Sequence, residues 1–149
     1  MNVAYTTGQG LKDIVLTKDQ YEHRPYKTTE KKKDDTIGDI VGLLRKHGVK
    51  KYIMDEENEA ISFLLTVKHL DMERIFPIKI TIPHMMYHLP TSRGSKKTTL
   101  TYLEKESWRV AWWYLKAKLA SIIYGISDSF QEFMPNIYHS LPDGREVML

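Results

Sequence analysis

The stretch SWRVAWWYLKAKLASIIYG, from Ser107 to Gly125, contains all three tryptophans of the chain. At about 100° per residue, its apolar side chains fall within one arc, which is the spacing of a helix with one buried side. The residues of this arc are Trp108, Ala111, Trp112, Leu115, Leu119, Ile122 and Ile123. We therefore predict a long amphipathic helix whose arc packs on the core.

A second group of residues lies on an adjoining flank of this helix. Its members are Arg109, Trp113, Lys116, Ala120 and Tyr124. Aromatic side chains outside the core arc need a second surface to cover them. Packing within the chain, a partner subunit and nucleic-acid bases are the three alternatives, and the functional interpretation depends on which one applies.

The composition limits the classes of protein to consider. A chain of 149 residues with 42% hydrophobic and 28% charged residues suits one globular domain that buries its own core. The lack of cysteine excludes disulfides, thiolate zinc sites and cysteine nucleophiles. No apolar run has the length of a membrane span, and the N-terminus lacks the apolar core of a signal peptide. We predict a cytoplasmic protein, in the host cell if it is viral.

The N-terminal residues 1–35 are polar and rich in Lys, Thr and Tyr. We predict a basic arm here and one α+β domain over residues 36–149. Within the arm, Ile14 to Leu16 can pair as a short strand. The basic end, Arg24 to Lys33, favours an anionic surface, and a solvated tail is the alternative.

The rest of the chain is predicted to form a helix, three strands and a second helix. A helix is expected from the cap Asp35-Thr36 to Gly48. Three strands follow, at Lys50 to Met54, Ala60 to His69 and Arg74 to Pro83. The apolar positions of the third strand are Ile75, Ile78, Ile80 and Ile82, and Pro77 is expected at an edge, a bulge or the strand start.

The segment Pro83 to Lys97 is expected to be a loop. The long amphipathic helix that contains the three tryptophans, which we call the tryptophan helix, is expected to start near Thr98 or Thr99. A short helix capped by Ser127 or Asp128, and then an edge strand, would form a C-terminal extension. The predicted fold is therefore α+β, in the order α-β-β-β-α, with an antiparallel three-stranded meander. This order resembles that of double-stranded-RNA-binding domains and of phage single-strand annealing proteins.

A further resemblance lies in the C-terminal half. The pattern W-R-x-x-W-x-x-L-K-A-x-L, then G, then F-x-x-F-x-P, is similar to that of small uncharacterised proteins of phages, prophages and archaeal mobile elements. The residues that carry it are Trp108, Arg109, Trp112, Leu115, Lys116, Ala117, Leu119, Gly125, Phe130, Phe133 and Pro135. The resemblance implies a mobile-element origin from about Thr36 onward and supplies no activity.

Catalytic and metal-binding patterns are sparse. His84 and His88 have a ligand-like spacing, but Pro83 and Pro90 bracket them and no third ligand is indicated. A nuclease would need carboxylates and a lysine converging on a metal, for instance Asp71, Glu73 and Lys79. The acidic turn from Asp55 to Glu59 suits a solvated hairpin tip. We therefore predict no catalytic residues, no metal and no cofactor, and lean towards a protein that is not an enzyme.

Cations interleaved with aromatic rings are what single-strand binding requires. The predicted nucleic-acid-binding residues are Arg24, Lys31, Lys32, Lys33, Arg93, Lys96, Lys97, Lys105, Arg109, Trp113, Lys116 and Tyr124. The leading hypothesis is a non-enzymatic protein of a phage or mobile element that binds nucleic acid, with single-stranded DNA favoured, in replication, recombination or annealing. Homo-oligomerisation is compatible with it.

Two alternatives belong to other classes. One is a protein-protein interaction module, such as a phage-encoded inhibitor or assembly factor, and the other is a small metal-dependent nuclease. No membrane partner is expected.

Overall fold

The computed structural model describes residues 13–27, 30–69, 71–140, 142–143 and 145–148. The strands are β1 (Asp13–Val15), β2 (Tyr52–Asp55), β3 (Ala60–His69), β4 (Met72–Thr81), β5 (His84–Pro90), β6 (Thr98–Tyr102), β7 (Tyr138–Ser140) and β8 (Glu146–Met148). The helices are α1 (Lys18–Glu22), α2 (Lys33–Lys46), α3 (Glu104–Ile123) and α4 (Ser129–Phe133), followed by a 3-10 turn (Met134–Asn136). The chain is thus α+β, as predicted.

The predicted three-stranded antiparallel sheet is confirmed, in the order β2-β3-β4. Strand alternation sends Phe63 and its partner Ile78 to the inner face, where both are buried. Ile75 is also an apolar position of this strand, but it lies on the outer face of the sheet. It points outward, 64% exposed, because the inward position of this part of β4 belongs to its neighbour Phe76.

Pro77 lies near the edge of this sheet, as expected. β4 pairs along its length with β3, and an isolated bridge from Ile78 to Ile137 joins its other side to the C-terminal segment. A proline is tolerated in an edge strand such as β4, because its missing N–H does not interrupt the hydrogen bonds between two central strands.

Two helices cover the inner face of the sheet. α3 contributes Trp108, Leu115 and Leu119 to the core, and α2 contributes Ile40 and Leu44. The arc predicted for the tryptophan helix is confirmed except at its end. Ile123 is 57% exposed because it lies about 80° around the helix from Leu115.

The segment from Pro83 to Tyr102 contains β5 and β6, which form a second sheet with β1 in the order β1-β5-β6. The predictions of a loop here, and of a helix start at Thr98 or Thr99, were wrong. β5 pairs parallel with β1 from His84 to Met86 and antiparallel with β6 from Met86 to Pro90, so its backbone groups are bonded within a sheet. α3 therefore begins only at Glu104.

The predictions for β1, for the start of α2 and for the cap of α4 have different outcomes. The short strand expected near Ile14 is confirmed as β1, whereas residues 1–12 lie outside the described residues. α2 begins at Lys33 rather than after a cap at Asp35, since Asp34 and Asp35 occupy its first turn, where carboxylates are favourable. The expected cap of α4 is confirmed, because the Asp128 side chain accepts a hydrogen bond from the backbone N–H of Gln131.

The C-terminal segment ends in a hairpin of β7 and β8. α4 places Phe133 in the core, fully buried and edge-on to Phe63, with ring centroids 5.7 Å apart. Within the described residues, no helix combines the length and apolar character needed to cross a membrane.

Candidate nucleic-acid interface

The hairpin of β5 and β6 ends in a closed turn, residues 91–97, which we call the hairpin tip. The backbone N–H of Thr91 donates to the carbonyl of Lys97 (3.0 Å), and the N–H of Ser95 donates to the carbonyl of Ser92 (3.0 Å). Gly94 takes a positive φ of 79°, which L-residues with side chains adopt at a cost. The tip therefore has a defined backbone conformation.

Three of the predicted cations are brought together at the hairpin tip. Arg93, Lys96 and Lys97 are exposed, and no carboxylate of the described residues lies within ion-pair distance of them. The 21 residues from Pro83 to Leu103 contain no Asp or Glu at all. They do include six Ser or Thr hydroxyls between positions 91 and 101. The hairpin is therefore a basic, hydroxyl-rich ribbon.

The base of this hairpin is fixed to the core. The Ser107 hydroxyl, fully buried, accepts a hydrogen bond from the backbone N–H of Met85 (3.2 Å). The N–H of Leu103 donates to the carbonyl of Met85 (2.8 Å). Arg24 supports the hairpin from the side, since its guanidinium lies 3.8 Å from the ring of Tyr21, which stacks on Tyr87 at 3.9 Å. Arg24, a predicted nucleic-acid-binding residue, thus packs against the side of the hairpin.

The side chain of Arg109, one of the predicted nucleic-acid-binding residues, lies between α3 and α2. Its side chain is buried, its guanidinium donates to Asp39 (2.7 Å), and it lies 3.7 Å from the centroid of Trp112. Lys31 also binds Asp39 (2.6 Å). Hydrogen bonds from Lys31, and then from Arg109, lower the pKa of the Asp39 carboxyl. Both cations are thus paired with the same carboxylate, and the Arg109 side chain is buried as well.

Lys33 is likewise paired. Its ammonium lies 3.2 Å from Glu56 and 3.8 Å from Glu104, and the hydrogen bond to Glu56 is the main reason its pKa is raised. Lys32 is the exposed N-cap residue of α2. The lysine cluster of the arm therefore serves mainly to anchor the start of α2.

The remaining predicted residues are spread along α3. Lys105 is exposed in the first turn, and the Lys116 ammonium lies 4.7 Å from the centroid of the Trp112 ring. Trp113 is 54% exposed and Tyr124 is 81% exposed. These two rings are about 16 Å apart along the helix axis, so they do not form one stacking platform with adjacent slots.

The sequence analysis missed a cluster around His84. Its imidazole lies 2.7 Å from Glu59 and 3.5 Å from Asp13, and it stacks on Tyr102 at 3.9 Å. Burial, and then the charge of Glu59, raises the pKa of the Tyr102 hydroxyl. The cluster connects the acidic turn to β1, β5 and β6 of the second sheet. No sequence signal joins residues so far apart in the chain.

The side chains weighed as a metal site or as a nuclease site do not converge. β4 separates Glu73 from Lys79 by six residues, or about 20 Å of extended chain, and Lys79 binds Glu146. His84 and His88 lie on an extended strand rather than on one face of a helix. Among the described residues, no group of three or more His, Asp or Glu side chains is placed to hold a metal ion.

Comparison with known proteins adds no relative: no protein-family model, curated protein or solved structure matches the chain. The resemblance to mobile-element proteins therefore stays a prediction.

Proposed function

We propose that the chain is a non-enzymatic nucleic-acid-binding protein whose contact surface centres on the hairpin tip. The observation that supports this is the grouping of Arg93, Lys96 and Lys97 on a closed turn, in a segment without carboxylates. Arginine and lysine neutralise phosphates, and hydroxyls and backbone N–H groups bond to phosphate oxygens. Lys105 and Lys116, both exposed, would extend the contact along α3.

Single-stranded DNA remains the favoured ligand. The outer positions His88 and Leu100 form an exposed cross-strand pair, which offers a ring and an apolar surface to unstacked bases. A two-stranded ribbon also fits the major groove of a duplex, so duplex DNA is the necessary comparison. A role in replication, recombination or annealing in a phage or mobile element belongs to the same proposal.

The test is a titration of the protein into a labelled oligonucleotide, monitored by fluorescence anisotropy at a series of NaCl concentrations. The titration is carried out with a single-stranded and with a duplex oligonucleotide. Replacing Arg93, Lys96 and Lys97 with alanine should weaken binding of the preferred form. For single strands, the slope of log K against log salt should become shallower by about 2, since each lost phosphate contact removes about 0.7.

The matched control replaces Lys46, Lys50 and Lys51 with alanine. These three lysines are exposed near the end of α2, and their loss changes the net charge by the same amount. The control should keep the wild-type salt slope. The proposal fails if neither strand form binds at low salt, or if the control weakens binding as much as the change at the hairpin tip.

A protein-protein interaction module is the second candidate function. The observation in its favour is the exposure of large apolar side chains from the middle of α3 to just beyond its end, where Trp113, Ile123, Tyr124 and Ile126 are all more than half exposed. If oligonucleotides do not bind, this is the function that the remaining surface supports best.

A further inference from the structure

The strand β2 has a partner on one side only. Within the part of the chain that the structure describes, β3 pairs with β2 and no other strand does. The N–H of Leu64 donates to the carbonyl of Lys51 (3.1 Å), and in an antiparallel ladder such bonded pairs recur at every second residue. The bonds from β2 to β3 thus belong to odd-numbered residues. The backbone groups of Tyr52 and Met54 point to the open side, where no backbone group of the described residues bonds to them.

The charges along this open strand are complementary to themselves. The segment from Lys50 to Glu56, KKYIMDE, which we call the edge segment, begins with two lysines and ends with two carboxylates. Its three middle residues are uncharged, and the central one, Ile53, is 67% exposed. Charges of one sign on an edge strand would repel a second copy. Here the two ends have opposite signs, so a second edge segment that runs in the opposite direction meets opposite charges.

Hydrogen bonding limits which residues of two antiparallel edge segments can face each other. The outward backbone groups belong to even-numbered residues, so these residues must lie opposite even-numbered residues of the second copy. The condition holds when Ile53 of one copy faces Ile53 of the other on a two-fold axis. Tyr52 then exchanges its backbone bonds with Met54 of the second copy, on both sides of the axis.

The charges favour this register over its neighbours. With Ile53 on the axis, Lys51 lies opposite Asp55 of the second copy. The adjacent Lys50 lies opposite Glu56, whose side chain is 53% exposed and can accept from a second lysine. A shift by two residues keeps the backbone bonds, but it places either Lys51 or Asp55 opposite Ile53. Opposite charges and β-branched residues are favourable cross-strand pairs, so the register centred on Ile53 is the most stable.

The helix α2 lies over β2 and runs in the opposite direction. At one end, the Arg45 guanidinium donates to the Tyr52 hydroxyl (2.9 Å), and at the other end the Lys33 ammonium lies 3.2 Å from Glu56. A two-fold axis perpendicular to the sheet keeps the inner faces of both copies on the same side. The two α2 helices would therefore become antiparallel neighbours across the same axis.

The exposed surface of α2 is suited to such a neighbour. Gly38 and Gly42 are exposed, and a Cβ at either position would have no atom of the described residues within 4 Å outside its own part of the helix. The first turn of α2 carries two aspartates, and the last turn carries Arg45 and Lys46. Antiparallel neighbours place the acidic turn of one helix opposite the basic turn of the other. The helix thus favours the same partner, in the same orientation, as the edge segment.

We propose that the edge segment is a homodimer contact, in which two copies of β2 pair antiparallel about a two-fold axis at Ile53. The pairing joins two three-stranded sheets into one continuous sheet. Because both α2 helices take part, the contact is larger than a strand pair alone, which is only marginally stable in water.

The charge pattern identifies the occupant as a second copy. An acidic peptide would place carboxylates opposite Asp55 and Glu56, and a nucleic-acid strand would place phosphates there. A second edge segment avoids both conflicts. The contact shares no residue with the hairpin tip or with the exposed apolar side chains of α3.

Sedimentation equilibrium of the full chain over a concentration series tests the contact. The apparent mass of the wild type should rise from 17.5 kDa towards twice that value. Ile53→Lys should keep the chain monomeric, because two ammonium groups would meet on the axis, and Ile53→Glu should do so for the same reason. An equimolar mixture of these two variants should associate again, since each introduced lysine would then face a glutamate.

Ile75→Lys is the matched control for the change at Ile53. Ile75 is 64% exposed on the same outer face of the sheet, but it lies on β4, on the far side of β3. The control therefore makes the same chemical change away from the open edge, and it should dimerise like the wild type.

Lys51→Glu tests the charge pairing, and it decides the case if the variants at Ile53 do not fold. It converts two favourable cross-strand pairs into two pairs of like charge, so the dissociation constant should rise about tenfold or more. Lys105→Glu changes the net charge equally at an exposed position of α3 and should leave the dissociation constant unchanged.

Four results would overturn the edge contact. They are a wild type that stays monomeric at every concentration, an Ile53→Lys chain that associates as the wild type does, a mixture of the two Ile53 variants that stays monomeric, and an Ile75→Lys chain that no longer associates. These measurements contain no oligonucleotide, so their outcome is independent of binding at the hairpin tip.

Discussion

Replacing Arg109 with methionine should destabilise the fold, because this cation joins α2 to α3. Methionine keeps much of the apolar stem and removes the guanidinium. The change therefore eliminates the hydrogen bond to Asp39 and the stacking on Trp112, while a side chain still fills the space.

The structure sets the size of the effect. A hydrogen bond to a charged partner contributes about 1.5–3 kcal/mol, and a desolvated cation–π contact contributes about 0.5–2 kcal/mol. Arg109 is 8% exposed, so solvent screens its side of the contact little. The Asp39 side chain is 35% exposed and retains Lys31, so it is not left as an isolated buried charge. We expect the free energy of unfolding to fall by about 2 kcal/mol, which is near the low end of the sum of these two contributions.

Urea denaturation, monitored by tryptophan fluorescence, gives the free energy of unfolding directly. A loss of about 2 kcal/mol should also lower Tm by about 4–8 °C. Lys105→Met is the matched control, because Lys105 is exposed one turn earlier on the same helix and should change stability by less than about 0.5 kcal/mol. A cost for Arg109→Met that is no larger than this control would refute the reasoning.

Two further predictions concern the network around Asp39 and the core. The lowered pKa of Asp39 means that its contribution to stability is complete above the unfolded value of 3.8 and is lost as the pH falls through the folded pKa. The difference in urea midpoint between Asp39→Asn and the wild type should thus be constant near neutral pH and shrink in acid; a difference that grows in acid would contradict the assignment. Phe133→Ala should cost about 3–5 kcal/mol in the same assay, because the ring is fully buried against Phe63. Met134→Ala, at a half-exposed neighbour, should change stability by less than about 0.5 kcal/mol.

The elements predicted correctly are those whose pattern is local. The buried arc of α3 follows from helical spacing, and the strands β3 and β4 follow from apolar runs separated by a short turn. β5 was missed because Pro83 and Pro90 suggested a loop. Pro83 precedes this strand and Pro90 is its last residue, where a proline is tolerated, and one of its two partner strands, β1, comes from a distant part of the chain.

The candidate site was less predictable because charge pairing is a property of the fold. Helical periodicity placed Arg109 beside the core arc, but it could not show that Asp39, 70 positions earlier, would meet it. The same holds for Lys33 and its partner Glu104. The basic character of the hairpin tip was visible in the sequence, whereas its isolation from carboxylates depends on a strand pairing that local patterns did not indicate.

The parallel pairing of β1 with β5 has a practical consequence for the polar N-terminus. The three residues from Asp13 to Val15, and the bond from Leu16 to Met86, occupy one side of β5. A chain truncated just after Leu16 would leave the edge of β5 open from His84 to Met86, a stretch that carries two methionines. Unprotected edges of this kind invite pairing with other molecules. Removing the residues up to Leu16 for expression would therefore promote aggregation.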